Sequence, residues 1–478
     1  MRRAKILATL GPASRDPLMA DALLNAGVNG VRVNMSHGTR EEKAADIRTA
    51  RAVAQKLNRP LAVLVDLSGP KIRTRQLQGG APVKLEEGAT FVLTTREVIG
   101  DAEQVATNYS DLPHVLKTGN RILLDDGAIE LSVESTTESE VVCRVINGGE
   151  LGERKGINLP GISLPIASMT EKDIVDLNWA IEQEADYIAL SFVRSAEDCI
   201  RAKELISKAG GHAPLVAKIE KAEAIDHLDE IVAAADAIMV ARGDLGVETS
   251  VELVPIYQKQ IIKKAVLAGK MVITATQMLQ SMITNPRPTR AEASDVANAV
   301  WDGTDALMLS NETATGCYPV PAVSTMARII ESAESAPQSQ YLIDAAGRHS
   351  GRVSRALCEA AAFAAEEMTT KIIAVFTESG LMARRLSSLR PEQRIIALTH
   401  APQVQRELAL IWGVESLLTP EASSTEEMLK SGEEILLNVG AVEIGEVIVA
   451  MAGRRSGLGL ASSVMVLKVG RALGPVSA

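Results

Sequence analysis

The chain has 478 residues, several times a common domain, so it holds either several domains or one barrel carrying insertions. Hydrophobic residues make up 46% and charged residues 23%, which excludes a disordered or collagen-like chain. With four Phe, five Tyr, three Trp and a net charge of −10 there is little for base stacking or phosphate-backbone contact, and a nucleic-acid partner is excluded on the same ground.

The basic start, Met1-Arg2-Arg3, leads into an apolar run cut at Gly11-Pro12, too short for a signal-peptide core. No segment approaches the roughly 18 apolar residues of a membrane span, and the most apolar stretch, 231–241, is broken by Asp236. A cytoplasmic protein without a membrane partner is expected. Cys143, Cys199, Cys317 and Cys358 lie far apart with no Cys-x-x-Cys, so neither a zinc site nor a disulfide framework is signalled. They read as reduced, mostly buried packing residues.

Short apolar runs occur at 4–9, 30–33, 61–65, 187–191, 215–219, 237–241, 271–275 and 306–309, most followed by a helix-period segment. Eight such runs predict parallel strands covered by helices, arranged as a (β/α)8 barrel. Thr170-Glu171-Lys172-Asp173 resembles a capping box, and Ile174, Leu177 and Ile181 follow at helical spacing, so a helix is predicted to start near Glu171. More than a hundred residues separate the third and fourth runs, far beyond a usual connection, which predicts an inserted domain. Its runs at 121–124, 128–133 and 140–145, between Gly- and Ser/Thr-rich turns, predict a small β-domain at 71–167. The barrel is thereby assigned to 1–70 and 168–336. A second α/β pattern follows, with a helix marked by Val353, Leu357, Ala361 and Ala364 and strands at 372–376, 395–398, 447–451 and 464–469, defining a C-terminal domain at 337–478.

Catalytic groups of a (β/α)8 enzyme sit at the C-terminal ends of the strands. Seven of the runs lead into chemistry-bearing residues: Thr9; Arg32 to Gly38; Asp66 to Arg73; Lys218-Ile219-Glu220-Lys221; Ala241-Arg242-Gly243-Asp244; Thr276-Gln277-Met278; and Ser310-Asn311-Glu312-Thr313. The mouth is expected to gather Arg32, Arg73, Lys218 and Arg242 with Asp66, Glu220 and Asp244, a set suited to a highly anionic substrate. Glu220 and Asp244, from neighbouring strands, suit magnesium, which takes one or two carboxylates and completes its shell with water and substrate oxygens. Period-two alternation turns Lys218 the same way as Glu220. A metal, a lysine and several arginines around one pocket favour phosphoryl transfer, where catalysis is positioning and electrostatics. Any one pair could be an ordinary salt bridge or turn; all seven ends being so is improbable. Gly457-Leu458-Gly459-Leu460-Ala461-Ser462 resembles part of a dinucleotide fingerprint, but it lies between two strand-like runs with no helix after it. No P-loop or His-Glu-x-x-His motif occurs.

Five segments carry a family resemblance: VRVNMSHG from Val31, DLSGPKIRT from Asp66, VAKIEKAEAI from Val216, MVARGDLGVE from Met239 and TATQMLQSMITNPRPTRAEASDVANAV from Thr274. The chain resembles pyruvate kinases over essentially its whole length, with the insertion similar to their mobile lid. The resemblance implies transfer of phosphate from phosphoenolpyruvate to ADP, giving pyruvate and ATP, by a cytoplasmic homotetramer. It implies that Arg32 contacts the transferring phosphoryl group and that Lys218 stabilises this group and the enolate. Glu220 and Asp244 would hold magnesium or manganese, Thr276 would stand where enolpyruvate is protonated, and the backbone at Ala241-Arg242-Gly243 would cradle the substrate carboxylate. His37 and Arg73 match the nucleotide-phosphate side. Asn34, Ser36 and Asp66 match a potassium pocket, but Leu67 replaces a Thr and Lys71 a Glu. Lys71 would substitute for the monovalent ion, so no potassium requirement is expected. Thr377-Glu378-Ser379-Gly380, with Arg454 and Arg455, matches an effector-phosphate loop for a sugar phosphate or AMP, although Leu381-Met382 departs from the family there; so does Asn311, where a small residue is common.

Two other readings remain open from the residues alone: a magnesium-dependent aldolase or lyase of pyruvate-type substrates, and a catalytically dead metabolite sensor. The first leaves the lid and the extra arginines unexplained, and intact Arg32, Lys218, Glu220 and Asp244 weigh against the second.

Overall fold

A computed structural model describes residues 2–162, 164, 166–336, 352–456 and 459–470. Eight parallel strands close into a barrel in which each pairs with its neighbour in sequence and the first, Lys5–Thr9, pairs with the eighth, Ala306–Leu309. The others are Gly30–Asn34, Ala62–Asp66, Tyr187–Leu190, Leu215–Ile219, Ala237–Ala241 and Met271–Ala275. They are buried on both faces, which is why they read as unbroken apolar runs rather than alternating ones. The second and third strands run one residue past the predicted ends, so Asn34 and Asp66 occupy the last strand positions at the mouth. The predicted helix spans Glu171–Glu182, with Thr170 accepting from the Asp173 amide and the Asp173 carboxylate accepting from the Thr170 amide at 2.9 Å.

The barrel seam closes on Gly11. A Cβ built there would lie 2.5 Å from the Ala314 carbonyl oxygen, in the short helix Asn311–Ala314 after the eighth strand. Neither backbone can give way cheaply, because the Ala13 amide donates to that same carbonyl at 2.9 Å. Gly11→Ala is expected to cost about 1–3 kcal/mol as overpacking, read as a lower urea midpoint at unchanged slope. An unchanged midpoint would show that the seam relaxes freely.

Between the third and fourth barrel strands the chain forms its own sheet, in the order Ile157–Asn158, Arg121–Leu124, Ile129–Thr136, Glu140–Asn147, Thr90–Thr94, Gln104–Ala106. Phe91, Leu93, Ile122, Leu131 and Val141 fill its separate core together with Cys143. Of the other cysteines, Cys199 and Cys358 are buried and Cys317 is exposed.

The C-terminal sheet has the order Val414–Leu418, Arg394–Thr399, Ile372–Phe376, Val447–Ser456, Gly459–Lys468, parallel except for the last pair. That antiparallel hairpin is incompatible with a dinucleotide fingerprint at Gly457, a residue that itself lies outside the described ones. Val414–Leu418 is a strand the sequence did not announce, since its buried positions alternate with Glu415 and a partly covered Leu417. This domain covers the N-terminal end of the barrel. Tyr187 donates to the Glu407 carbonyl at 2.7 Å, Arg406 pairs with Asp186 at 2.8 Å, and Arg390 with Asp305 at 3.0 Å. Among the described residues no helix is long and apolar enough to cross a membrane.

Candidate active site

The C-terminal ends of the barrel strands converge on one buried ionic cluster. Lys218 Nζ stands 2.8 Å from Glu220 Oε1, 3.2 Å from Asp66 Oδ1 and 2.7 Å from Ser191 Oγ. Lys218 and Glu220 face the same way because they are two apart at a strand end. Asp66 Oδ2 accepts from Arg32 Nε and Nη2, both at 2.7 Å, and Arg32 Nη1 reaches Thr9 Oγ1 at 3.2 Å. Asp66 and Glu220 are each 1% exposed. Charges so far from water persist only because they are paired.

The titration directions follow from this packing. Burial pushes the Asp66 carboxyl up, but Lys218 and Arg32 outweigh it and hold it below its ordinary value. Burial works against the Lys218 ammonium, and Asp66 with Glu220 overcomes it, so the lysine stays firmly protonated. Glu220 is raised by burial, a shift that Lys218 opposes and Asp244 reinforces. Repulsion between Glu220 and Asp244 is what a cation placed between them relieves.

Asp244 lies in the first turn of the helix Arg242–Glu248, one quarter exposed, with Lys71 Nζ 3.7 Å away. Lys71 is also 3.8 Å from Asp126 of the lid, so one ammonium spans the lid and a mouth carboxylate. Lys71 does not simply reach into solvent. Asn34 Oδ1 accepts from the Ser36 amide at 3.0 Å, and the two Asp66 oxygens are engaged by Lys218 and Arg32.

Arg242 corrects the expected charge census. Its guanidinium turns away from the mouth and is buried, donating to the Thr276 carbonyl at 2.7 Å and pairing with Asp295 at 2.7 Å. Its backbone, between Ala241 and Gly243, stays where the sixth strand ends and the helix Arg242–Glu248 begins. Thr276 adopts φ +70° and Gln277 φ +54°, a left-handed backbone that is costly for a β-branched residue. The Arg242 clamp and the bond from the Gly243 amide to Thr276 Oγ1, at 2.8 Å, hold it there.

His37 is exposed at the rim. Partial burial and then Arg73, Lys43, Lys71 and Arg32 lower its pKa, so it stays neutral in a field of cations. Arg73, on the chain leaving for the lid, donates to the Arg154 carbonyl at 3.1 Å.

Sequence reasoning missed the fourth strand end, where Ser191 and Phe192 carry no charge to betray it. There Ser191 accepts from Lys218 and donates to the Leu67 carbonyl, and the Phe192 amide, at φ +56°, donates to Glu220 Oε2 at 2.7 Å. It also missed a link to the lid: Lys221 pairs with Glu248 at 2.8 Å, and Glu248 accepts from Asn158 at 2.8 Å.

In the C-terminal sheet, the Gly380 amide donates to Thr377 Oγ1 at 2.9 Å, closing the Thr377-Glu378-Ser379-Gly380 turn that starts the helix Leu381–Ser388. Phe376 pairs in parallel register with Ala452, so this turn and the backbone of Arg454 and Arg455 leave the same sheet end. The side chains of Arg454 and Arg455 lie outside the described residues.

Among the described residues no three His, Cys, Asp or Glu side chains gather as a metal cage. Glu220 and Asp244, near enough that Asp244 raises the Glu220 pKa, are two carboxylates that would fit an ion completing its shell from water and substrate.

A closed (β/α)8 barrel whose mouth sets a protonated lysine and an arginine around paired carboxylates defines a barrel enzyme for anionic, phosphate-bearing substrates, a phosphotransferase. Two family models match: the pyruvate kinase barrel domain over residues 1–323 and the pyruvate kinase alpha/beta domain over residues 355–467. A pyruvate kinase of Clostridium acetobutylicum is 40% identical over 456 residues, covering 95% of this chain and 96% of that protein. One of Staphylococcus aureus is 42% identical over 460 residues, covering 96% and 78%. The crystal structure of a pyruvate kinase from Cryptosporidium parvum superposes with a TM-score of 0.91 at 34% identity, covering 98% and 96% of the two chains. The chain belongs to the pyruvate kinase family.

Proposed function

We propose that the enzyme transfers the phosphoryl group of phosphoenolpyruvate to ADP with magnesium, in cytoplasmic glycolysis, as an allosteric homotetramer. The observation that carries this reading is Lys218, buried and held protonated between Asp66 and Glu220. The bond between phosphorus and the enol oxygen breaks as that between phosphorus and the ADP oxygen forms, and the enolate carbon then takes a proton. Lys218 and Arg32 face this transfer as fixed cations, already oriented by Asp66, so little reorganisation accompanies the charge shift. Glu220 and Asp244 would hold magnesium, which when bound would supply Lewis-acid neutralisation of the developing negative charge. Thr276 orients the protonation step and the backbone at Ala241-Arg242-Gly243 cradles the carboxylate. Neutral His37 and Arg73 border the nucleotide phosphates.

Lys71 takes the place of potassium beside Asp244, leaving Asn34, Ser36 and Asp66 without a monovalent ion. The division into 1–70 with 168–336, 71–167 and 337–478 is read as barrel, lid and assembly domain. A sugar phosphate or AMP binds the Thr377–Gly380 turn with Arg454 and Arg455. Saturation curves for phosphoenolpyruvate, taken with a panel of sugar phosphates and AMP, are expected to shift with at least one. No shift by any of them, in a tetrameric preparation, counts against this effector loop.

A coupled assay for pyruvate tests the main reading. Pyruvate is expected from phosphoenolpyruvate only with ADP present, and to vanish on chelation of magnesium. Pyruvate released without ADP from an aldol or lyase substrate would favour the alternative barrel chemistry. Absence of turnover would favour a metabolite sensor.

A further inference from the structure

A second, solvent-open cleft of about 650 Å³ lies at the other end of the barrel, between the strand starts and the C-terminal helix Leu381–Ser388. Tyr187, Ala237 and Met271, which line it, are the first residues of their strands, whereas Glu220 and Thr276 follow strand ends. A five-residue strand spans about 15 Å, so the cleft is separate from the catalytic mouth. Clefts at domain seams are common ligand sites, and this one has room for a metabolite.

Its lining is cationic. Lys203, Lys270, Arg384 and Arg385 face it against a single carboxylate, Asp236, in a protein of net charge −10. Two of the four cations are committed: Lys203 pairs with Asp236 at 2.7 Å and Arg384 with Glu407 at 2.6 Å. Lys270 spends one donor on the Ala235 carbonyl at 2.6 Å and keeps two. The Arg385 guanidinium has no hydrogen-bond or ion-pair partner among the described residues, although the residue is partly buried. The Gly269–Lys270 turn faces Arg384, Arg385 and Ser388 across the seam. Ile206, Ala237, Met271 and Leu381 form an apolar wall beside them.

We propose that this cleft binds a small organic phosphate, with Arg385 and Lys270 holding the phosphate from opposite sides of the seam and the apolar wall receiving the organic part. A planar guanidinium and an ammonium are the usual pair of phosphate donors. Because one comes from the C-terminal helix and the other from the barrel, the ligand would bridge the two domains. This site differs from the turn at Thr377 with Arg454 and Arg455, which uses no lysine, and it does not depend on the catalytic reading.

Pyridoxal 5′-phosphate, a phosphate ester carrying an aldehyde, tests it. A lysine beside the bound phosphate condenses with the aldehyde, borohydride fixes the imine, and peptide mapping locates the label. Burial lowers the pKa of Lys270 and Lys203 adds to this, with Asp236 opposing, so Lys270 offers more free amine than an ordinary lysine. On the full-length enzyme, labelling of Lys270 or Lys203 is expected to exceed that of exposed Lys84 by about tenfold, the worth of one charge-assisted phosphate contact. Arg385→Gln should remove that preference while leaving basal turnover unchanged, which also shows that the variant folds. Pyridoxal without the phosphate should show only the smaller preference that the lowered Lys270 pKa and the Lys84–Glu86 pair confer, and AMP or ribose 5-phosphate as competitors distinguish a nucleotide from a sugar source. Labelling no faster than at Lys84, equal labelling by pyridoxal, or a preference unaffected in Arg385→Gln overturns the proposal.

Discussion

Lys218→Met is expected to lower turnover by about a hundred- to a thousandfold, the effect of removing one preorganised charge that acts mainly in the transition state. The same change strips Asp66 and Glu220 of their shared ammonium, and breaking a buried ion pair costs about 3–5 kcal/mol of stability. The pH dependence has a definite sign. The Asp66 carboxyl is held low in the folded protein, so its contribution is present above its unfolded pKa and is lost as pH falls through the folded one. Without Lys218 that carboxyl rises, and acid unfolding should move to higher pH. Two readouts thus separate catalysis from folding: turnover under native conditions and the acid midpoint. A variant that keeps more than about a tenth of normal turnover, with unchanged magnesium dependence, places the catalytic charge elsewhere.

Lys71→Glu is expected to give the enzyme a potassium requirement, and the wild type is expected to show none. Lys71 Nζ stands 3.7 Å from Asp244, and a unit charge pair at ~4 Å is worth about 4 kcal/mol at an effective dielectric of 20, before desolvation. Reversing that charge sets a third carboxylate beside Asp244 and the lid's Asp126, where a mobile cation offsets it. In buffers whose only monovalent cation is a bulky alkylammonium, the wild type should retain its activity and the variant should lose it until potassium is added. A wild type that gains more than about tenfold from potassium overturns the assignment, and so does a variant indifferent to it.

The barrel was legible because parallel strands buried on both faces leave contiguous apolar runs, and the chain supplies eight of them between turn signals. Four spans, among them Leu215–Ile219 and Ala237–Ala241, coincide with the reading. The charged members of the site were legible for a related reason: Lys218, Glu220 and Asp66 are polar residues placed where apolar runs stop. What escaped was neutral or directional. Ser191 and the Phe192 amide carry no charge, so nothing marked them. Arg242 was legible as a charge, but its orientation was not, since whether it points into the mouth or behind Thr276 is decided by Asp295, more than fifty residues away. Val414–Leu418 escaped because an edge strand with alternating burial has neither period strongly enough.

The lid's attachment bears on how the barrel assembles. The third and fourth strands pair through Val65 and Ile188, positions separated by the whole insertion. As a disordered loop, such an insertion would have to be closed before the pairing yielded anything, and long-range parallel pairing is slow for that reason. The two ends of the insertion are instead tied together: Arg73 bridges Gly156, the Thr74 amide donates to the Lys155 carbonyl at 2.8 Å and the Ile157 amide to that of Ile72 at 2.9 Å. An insertion that folds on its own core shrinks, for the barrel, to an ordinary strand–helix–strand connection through the helix Glu171–Glu182. The nucleation problem then moves to the other seam, where the first strand must find the eighth across nearly the full length of the barrel sequence.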